Sequence, residues 1–285
     1  MAQIDPALGL REQNLELHRD RAIKAADEGA ELVVFPELGL TGYLVKDMVP
    51  DLGLALDDPL LKPLFDLSHK LDLVFGFVEN LPDGNHCNSL AWLSGGECVH
   101  VHRKIYLPTY GMFEEGRYFA RGHRMQAFDT RFGRMAMAIC EDLWHPSVPY
   151  LAFLDGALGL IVGSASPVRG VERGPNPPKT EFWQRLLEHD ASLYGAFLIF
   201  ANRYGVEDGI NFWGGSRLIS PSGSTLVEGP LHEEALLLGE IDMSEVRRRR
   251  DEFSLLRDES PELTFRNLER ILRDRAGTPD SGEDS

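Results

Sequence analysis

The sequence contains few cysteines, no clustered histidines and no long apolar run. Its three cysteines, Cys87, Cys98 and Cys140, form no Cys-x-x-Cys pair, and no apolar stretch is long enough to cross a membrane. A disulfide framework, a zinc site and a transmembrane helix are therefore not expected. Because the first residues also show no secretory signal pattern, the chain is predicted to be cytoplasmic and to need neither a metal nor another cofactor.

Basic residues are in the minority. The 285 residues include 29 Lys and Arg against 45 Asp and Glu, which gives a formal net charge of −16. Nucleic acid and anionic membrane surfaces attract basic patches, so neither is expected as a partner. The hydrophobic fraction of 43% allows one large core. We expect one domain over residues 1–262, followed by a helix end and a disordered acidic tail over residues 263–285.

A thiol at the end of an apolar strand is the most informative feature that is present. The run Arg134–Ile139 predicts a strand, and Cys140 follows it directly, before Glu141 and Asp142. Burial among apolar groups and nearby carboxylates both raise the pKa of a thiol. Cys140 would therefore be inert unless a base or a cation from elsewhere in the chain activates it.

Two other charged residues occupy equivalent positions. Glu37 follows the predicted apolar strand Glu31–Phe35, separated from it only by a proline. Lys104 follows the predicted strand Glu97–Val101 in the same way. Ligands of open α/β sheets bind outside the carboxyl ends of the strands, so we expect both side chains to converge on Cys140.

A carboxylate, an ammonium group and a thiol in one place suit nucleophilic catalysis. Each residue alone has an ordinary structural interpretation, as a solvated charge or a buried filler of the core. Their order and their strand-end positions together favour Glu37 as the base, Lys104 as the electrophile and Cys140 as the nucleophile.

The segments around these residues resemble the motifs of the nitrilase superfamily of carbon-nitrogen hydrolases. Phe35–Tyr43 is similar to the family's glutamate motif, Arg103–Pro108 to its lysine motif and Ile139–Trp144 to its cysteine motif. Asn202–Asp208 and Phe212–Ser216 are similar to its late segments. The resemblance implies a Glu-Lys-Cys amidase with an α/β fold, a four-layer α-β-β-α sandwich that commonly pairs into a homodimer or a higher homo-oligomer.

Within the superfamily, Tyr110–Phe119 and Cys140–Trp144 look most like the glutaminase domain of glutamine-dependent NAD synthetases. By this resemblance, Glu115 orients the lysine, and Ser166 lies in a segment that contacts the amino-acid end of glutamine. The residues between Ser166 and Lys179 do not align with that pattern, so glutamine specificity stays open at this point.

The reaction that these residues favour is hydrolysis of a small-molecule amide through a thioester on the cysteine. We expect the backbone N–H of Glu141 to help Lys104 hold the oxyanion. Tyr110, Trp144 and Ser166 are the candidate substrate-binding residues.

Several related activities stay open. A nitrilase, an N-carbamoyl amino acid amidohydrolase and an acyltransferase would use the same site. Too few residues follow position 242 for an ATP-using domain. The chain is therefore expected either to act alone or to supply ammonia to a separate synthetase.

The hydrophobic pattern predicts alternating helices and strands, with hairpins in the last third of the chain. Gly95 and Gly96 are expected to form a hairpin turn rather than a phosphate-binding loop. The predicted helices are Leu15–Glu28, Pro59–Lys70 and Thr180–Tyr194, and the further predicted strands are Leu73–Val78, Leu158–Val162, Ala196–Phe200, Arg217–Ser220, Ser224–Val227 and Leu236–Ile241.

Overall fold

The computed structural model describes residues 1–168 and 178–276. The last part of the predicted 263–285 segment, residues 277–285, and most of the unaligned residues between Ser166 and Lys179 lie outside the described residues. The strands are β1 (Ala2–Gln3), β2 (Leu32–Val34), β3 (Asp72–Asn80), β4 (His86–Ser94), β5 (Glu97–Arg103), β6 (Phe128–Thr130), β7 (Gly133–Ile139), β8 (Gly159–Ser164), β9 (Pro167–Val168), β10 (Phe197–Asn202), β11 (Tyr204–Glu207), β12 (Ile210–Trp213), β13 (Arg217–Ile219), β14 (Thr225–Glu228) and β15 (Ala235–Leu236).

Helices connect most of these strands. The α-helices are α1 (Arg11–Asp27), α2 (Val49–Leu52), α3 (Lys62–Leu67), α4 (Glu115–Tyr118), α5 (Ser147–Leu154), α6 (Pro178–Tyr194), α7 (Ser244–Glu252), α8 (Leu255–Asp258) and α9 (Pro261–Arg275). Single turns of 3-10 helix are Lys46–Met48, Pro59–Leu61 and Cys140–Trp144. No α-helix within the described ranges is long and apolar enough to span a bilayer.

Two sheets form the centre of the molecule. The first has the order β2-β3-β4-β5, in which β2 and β3 are parallel and the other neighbours antiparallel. The second has the order β14-β13-β10-β8-β7-β6, with β7, β8 and β10 parallel to one another. Since β5 runs in the same direction as β2 and β3, the segments after β2 and β5 leave the first sheet at one edge.

The alternation of side chains along each strand divides the core into layers. Val74 and Ile161 point into the space between the two sheets. Their neighbour Phe75 points outward from the first sheet, where α1 and α3 cover it. Leu160 likewise points outward from the second sheet and packs with residues of α5 and α6, among them Trp183. The predicted four-layer α-β-β-α sandwich is therefore confirmed.

Most of the predicted elements are present. The predicted helix Leu15–Glu28 lies in α1 except for its last residue, and Thr180–Tyr194 is part of α6. The predicted helix Pro59–Lys70 divides into a 3-10 turn and α3. Pro63 has no backbone N–H and is tolerated only in the first turn of an α-helix, so α3 begins beside it. Gly95 and Gly96 form the hairpin turn between β4 and β5, as predicted.

The last predicted strand, Leu236–Ile241, was wrong. Only Ala235 and Leu236 pair in a ladder, and their partner is the two-residue strand β1. Because β1 offers so few pairing positions, the residues after Leu236 continue without a strand across the end of the two sheets.

Candidate active site

The turns that follow three strands bring Glu37, Lys104 and Cys140 together. Lys104 Nζ lies 2.7 Å from Glu37 Oε1, and both side chains are almost completely buried. Cys140 and Lys104 line the same cavity, which opens above the edge of the sheets. The convergence expected from the strand-end positions is therefore seen in the structure, whereas the catalytic roles of the three residues remain predictions.

Glu37 is held in one orientation by groups from both sheets. Its Oε1 accepts hydrogen bonds from Lys104 Nζ and from Asn88 Nδ2, the latter at 2.8 Å. Its Oε2 accepts from the backbone N–H of Ala165 at 2.8 Å. An ionised carboxylate has about four acceptor positions, so these three donors leave about one position for a thiol or a water molecule.

Lys104 lies between two carboxylates. Besides Glu37, it donates to Glu115 Oε1 at 2.7 Å, and Glu115 also accepts from the hydroxyl of Tyr43. Burial alone would lower the pKa of Lys104, but Glu115 and Glu37 outweigh it and hold the pKa well above its usual range. Burial raises the pKa of Glu115 to about 7, although Lys104 acts against this shift. The lysine is thus a fixed cation in a buried, acidic environment.

Cys140 begins the 3-10 turn after β7 with φ of 44°, a left-handed conformation that is uncommon for a residue other than glycine. Burial, followed by the charge of Glu37, raises the pKa of its thiol to about 12. Lys104 lowers this pKa, as does a hydrogen bond from Ser164 Oγ to Cys140 Sγ at 3.4 Å. The thiol is therefore protonated at rest and needs a base when it reacts, as the sequence predicted.

The cavity above Cys140 has a volume of about 210 Å³. Tyr110, Trp144 and Ser166, the three candidate substrate-binding residues, all lie on its wall, although no contact with a substrate is observed. Trp144 stacks on Phe182 with ring centroids 4.3 Å apart. The hydroxyl of Ser166 accepts a hydrogen bond from Trp183 at 3.0 Å, so its orientation is fixed.

Two further charged side chains lie on the cavity wall. Glu141 accepts a hydrogen bond from the hydroxyl of Tyr110 at 2.9 Å. Lys179 approaches the ring of Phe113, with Nζ 5.8 Å from the ring centroid, and its charge lowers the pKa of Cys140. The cavity wall therefore carries a carboxylate and an ammonium group in addition to the Glu-Lys-Cys group.

Sequence reasoning gave no individual role to five residues of the site, namely Tyr43, Asn88, Asp142, Ser164 and Lys179. Asn88 lies in β4 among other polar residues, His86 and Ser89, so the strand gives no distinctive signal for it. Asp142 lies in the acidic run after the cysteine, but its partners come from a different part of the chain. Within residues 1–168 and 178–276, no group of His, Cys, Asp or Glu side chains is arranged to hold a metal ion.

Comparison with known proteins identifies the family. The model of the carbon-nitrogen hydrolase family matches residues 1–251. The chain is 32% identical to the glutamine-dependent NAD(+) synthetase of Thermotoga maritima over 251 residues, which are 86% of this chain and 42% of the synthetase. It is 29% identical to the citrullinase of Francisella tularensis over 264 residues, which are 88% of this chain and 91% of the citrullinase.

Solved structures agree with this assignment. The carbon-nitrogen hydrolase of Helicobacter pylori G27 superposes with a TM-score of 0.85 and 25% identity, covering 94% of this chain and 97% of that protein. The chain spans less than half the length of the NAD synthetases that it matches. It belongs to the carbon-nitrogen hydrolase family.

Proposed function

We propose that this enzyme hydrolyses the side-chain amide of a small amino acid, with L-glutamine as the first candidate. The observation that carries the proposal is the pair of opposite charges on the cavity wall, Glu141 and Lys179. An α-amino acid carries an ammonium and a carboxylate group, which these two side chains complement. Simple aliphatic amides have neither charge and would gain nothing from them.

The size of the cavity supports a small substrate. Its volume of about 210 Å³ is below the roughly 300–1,000 Å³ of most ligand pockets. The apolar wall formed by Trp144, Phe113 and Met112 suits a short methylene chain between the amino-acid end and the amide.

The mechanism follows from the contacts of Glu37, Lys104 and Cys140. Glu37 accepts the proton of the Cys140 thiol through its remaining acceptor position as the sulfur attacks the amide carbon. Lys104 and the backbone N–H of Glu141 stabilise the negative charge that develops on the carbonyl oxygen. The protonated Glu37 then donates to the leaving nitrogen, ammonia departs, and a thioester remains on Cys140.

The second half of the reaction uses the same carboxylate. With ammonia gone, Glu37 removes a proton from a water molecule, which attacks the thioester. The acid product leaves, and the proton returns to the sulfur of Cys140. Lys104 keeps its charge throughout, since its pKa is well above the usual range.

A second candidate substrate is an amino acid with a terminal ureido group, such as L-citrulline. The Francisella citrullinase supports it, because the chain covers 91% of that protein but only 42% of the Thermotoga synthetase. Water would convert citrulline into ornithine, carbon dioxide and ammonia. An N-carbamoyl amino acid would pass through a thiocarbamate on Cys140, and a nitrile through a thioimidate.

The proposal extends to partners and location. If glutamine is the substrate, the ammonia is either released or passed to a separate synthetase. We propose a cytoplasmic homodimer or higher homo-oligomer, and exposed apolar residues on the outer helices support the pairing. These residues are Leu151 on α5, Phe182 on α6, and Phe265, Leu268 and Leu272 on α9.

The first test is ammonia release from a panel of L-glutamine, L-asparagine, L-citrulline, N-carbamoyl amino acids, aliphatic amides and nitriles. We expect release from glutamine or citrulline and none from Cys140→Ala. Cys98→Ala is the matched control, because Cys98 lies on β5 away from the cavity. Equal rates with propionamide and glutamine would reject the amino-acid proposal, and no release from any compound would reject the amidase.

The charge pair has its own test. Lys179→Met and Glu141→Gln should each raise KM for the zwitterionic substrate and leave the KM for a neutral amide nearly unchanged. An equal effect on both substrates would mean that these residues shape the cavity and do not recognise charge.

A further inference from the structure

Asp142 connects the turn that carries Cys140 to the segment that carries Lys104. Its carboxylate is fully buried and accepts four hydrogen bonds. Oδ2 accepts from the backbone N–H of Ile139 at 3.0 Å, directly before the nucleophile. Oδ1 accepts from the backbone N–H groups of Ile105 and Tyr106, both at 2.9 Å, directly after the lysine.

The fourth donor comes from the other side of Lys104. His102 Nε2 lies 2.9 Å from Asp142 Oδ2, and both side chains are buried. Residues on either side of Lys104 are thus tied to one carboxylate, and that carboxylate also caps the turn of Cys140. Four acceptor positions are filled, so the carboxylate has no freedom to rotate.

We infer that Asp142 is a positioning residue, which fixes Lys104 relative to Cys140 and in turn is fixed by His102. The inference rests on the proposed chemistry of these two residues. A carboxylate suits this position because one of its oxygens accepts hydrogen bonds from two closely spaced N–H groups. An amide oxygen would accept these two hydrogen bonds less strongly. Catalysis requires the lysine ammonium at a set distance from the carbonyl oxygen that the cysteine attacks, and an error of about 1 Å can cost about a hundredfold in rate.

The decisive variant is Asp142→Asn, which keeps the shape and removes the charge. The matched control is Asp72→Asn, because Asp72 is also a buried aspartate with several donors, Trp92 Nε1 and Ser94 Oγ among them. Asp72 begins β3 and therefore lies at the opposite edge of the sheet from the cavity. Both variants should lose thermal stability, but only Asp142→Asn should lose about a hundredfold in kcat while KM changes little.

A second readout does not depend on the identity of the substrate. The rate of alkylation of Cys140 by iodoacetamide, followed on the peptide by mass spectrometry, reports the thiolate directly. Lys104 lowers the pKa of this thiol, so displacing the lysine should move the pH dependence of alkylation to higher pH in Asp142→Asn. If the wild type alkylates normally but hydrolyses nothing, the proposed substrate is wrong and this test still stands.

Wild-type kcat and an unchanged alkylation profile in Asp142→Asn would overturn the inference, as would an equal loss in Asp72→Asn. If Asp142→Asn does not fold, His102→Ala and His102→Gln decide the matter. The Gln side chain introduced by His102→Gln supplies an N–H donor, whereas the Ala side chain of the other variant does not. We therefore expect kcat to fall in His102→Ala and to recover in part in His102→Gln. Identical kinetics in these two variants would contradict the proposed role of Asp142.

Discussion

The ion pairs at the active-site edge and those on helix α9 use the same kinds of side chain in opposite surroundings. Lys104 and Glu115 form a pair in which the side chains are 1% and 6% exposed. Arg270 and Asp274 on α9 form a pair in which they are 57% and 56% exposed. An exposed pair of this kind contributes at most about 1 kcal/mol, whereas a buried pair cannot lose one partner without leaving an uncompensated charge.

The difference agrees with the proposed catalytic role of the buried charges. Burying Glu37, Glu115 and Lys104 together costs desolvation free energy, and an apolar cluster of the same volume would stabilise the fold as well or better. The charges lie where the Cys140 thiol opens into a cavity. On α9, charges keep the exposed face of a helix hydrated and can be exchanged with little effect.

The largest effect is expected for Lys104→Met. The substitution leaves Glu37 and Glu115 buried without their cation, so the free energy of unfolding should fall by about 3–5 kcal/mol. Turnover should be lost as well, because the oxyanion loses its charged partner. Urea unfolding and ammonia release measure the two effects, and a variant as stable as the wild type would contradict the comparison.

Gly76→Ala should have the next largest effect. A Cβ atom at this position would lie 2.4 Å from Leu38 N and 2.5 Å from Pro36 O, within the turn that carries Glu37. The turn must shift away from β3, so we expect a loss of about 1–3 kcal/mol in stability and a large loss in kcat. Thermal unfolding and kinetics check this, and unchanged kcat would mean that the position of Glu37 tolerates displacement.

Glu115→Gln should change how stability depends on pH. The pKa of Glu115 is about 7 in the folded protein against an ordinary value of 4.5, so folding favours the protonated form. Its contribution to the free energy of unfolding is therefore largest below pH 4.5 and falls as the pH rises from about 4.5 to 7. As the pH rises through this window, the melting temperature of the wild type should decrease relative to that of Glu115→Gln. Glu262→Gln on exposed α9 is the control, and parallel curves for wild type and Glu115→Gln would refute the shift.

The smallest effect is expected for Arg270→Met. Its i,i+4 pair with Asp274 is exposed, so the free energy of unfolding should change by less than about 0.5 kcal/mol and kcat should not change. Urea unfolding beside Lys104→Met gives the comparison directly. A loss of several kcal/mol would show that α9 contributes more to the fold than its exposure indicates.

The strand-end positions of Glu37, Lys104 and Cys140 could be predicted because each follows an apolar strand at a sharp boundary. The α/β class followed from the alternation of helices and strands, while the number of layers came from the family resemblance. The strand Leu236–Ile241 was predicted wrongly because hydrophobicity does not reveal how short the partner strand β1 is.

The partners of the triad could not be predicted in the same way. Asn88 reaches Glu37 through the register between β3 and β4, and Ala165 reaches it from the other sheet. Asp142 meets residues 102–106 only because two turns from different sheets adjoin. Such contacts depend on how the sheets stack, which no local pattern records.

The most direct test of the central claim is to add hydroxylamine during turnover of glutamine. Hydroxylamine attacks thioesters, so it should divert the acyl group from water and yield a hydroxamate with the wild type. Cys140→Ala should give neither hydroxamate nor ammonia. Ammonia release that persists in Cys140→Ala, or turnover by the wild type that never yields hydroxamate, would contradict a thioester on Cys140 as the intermediate.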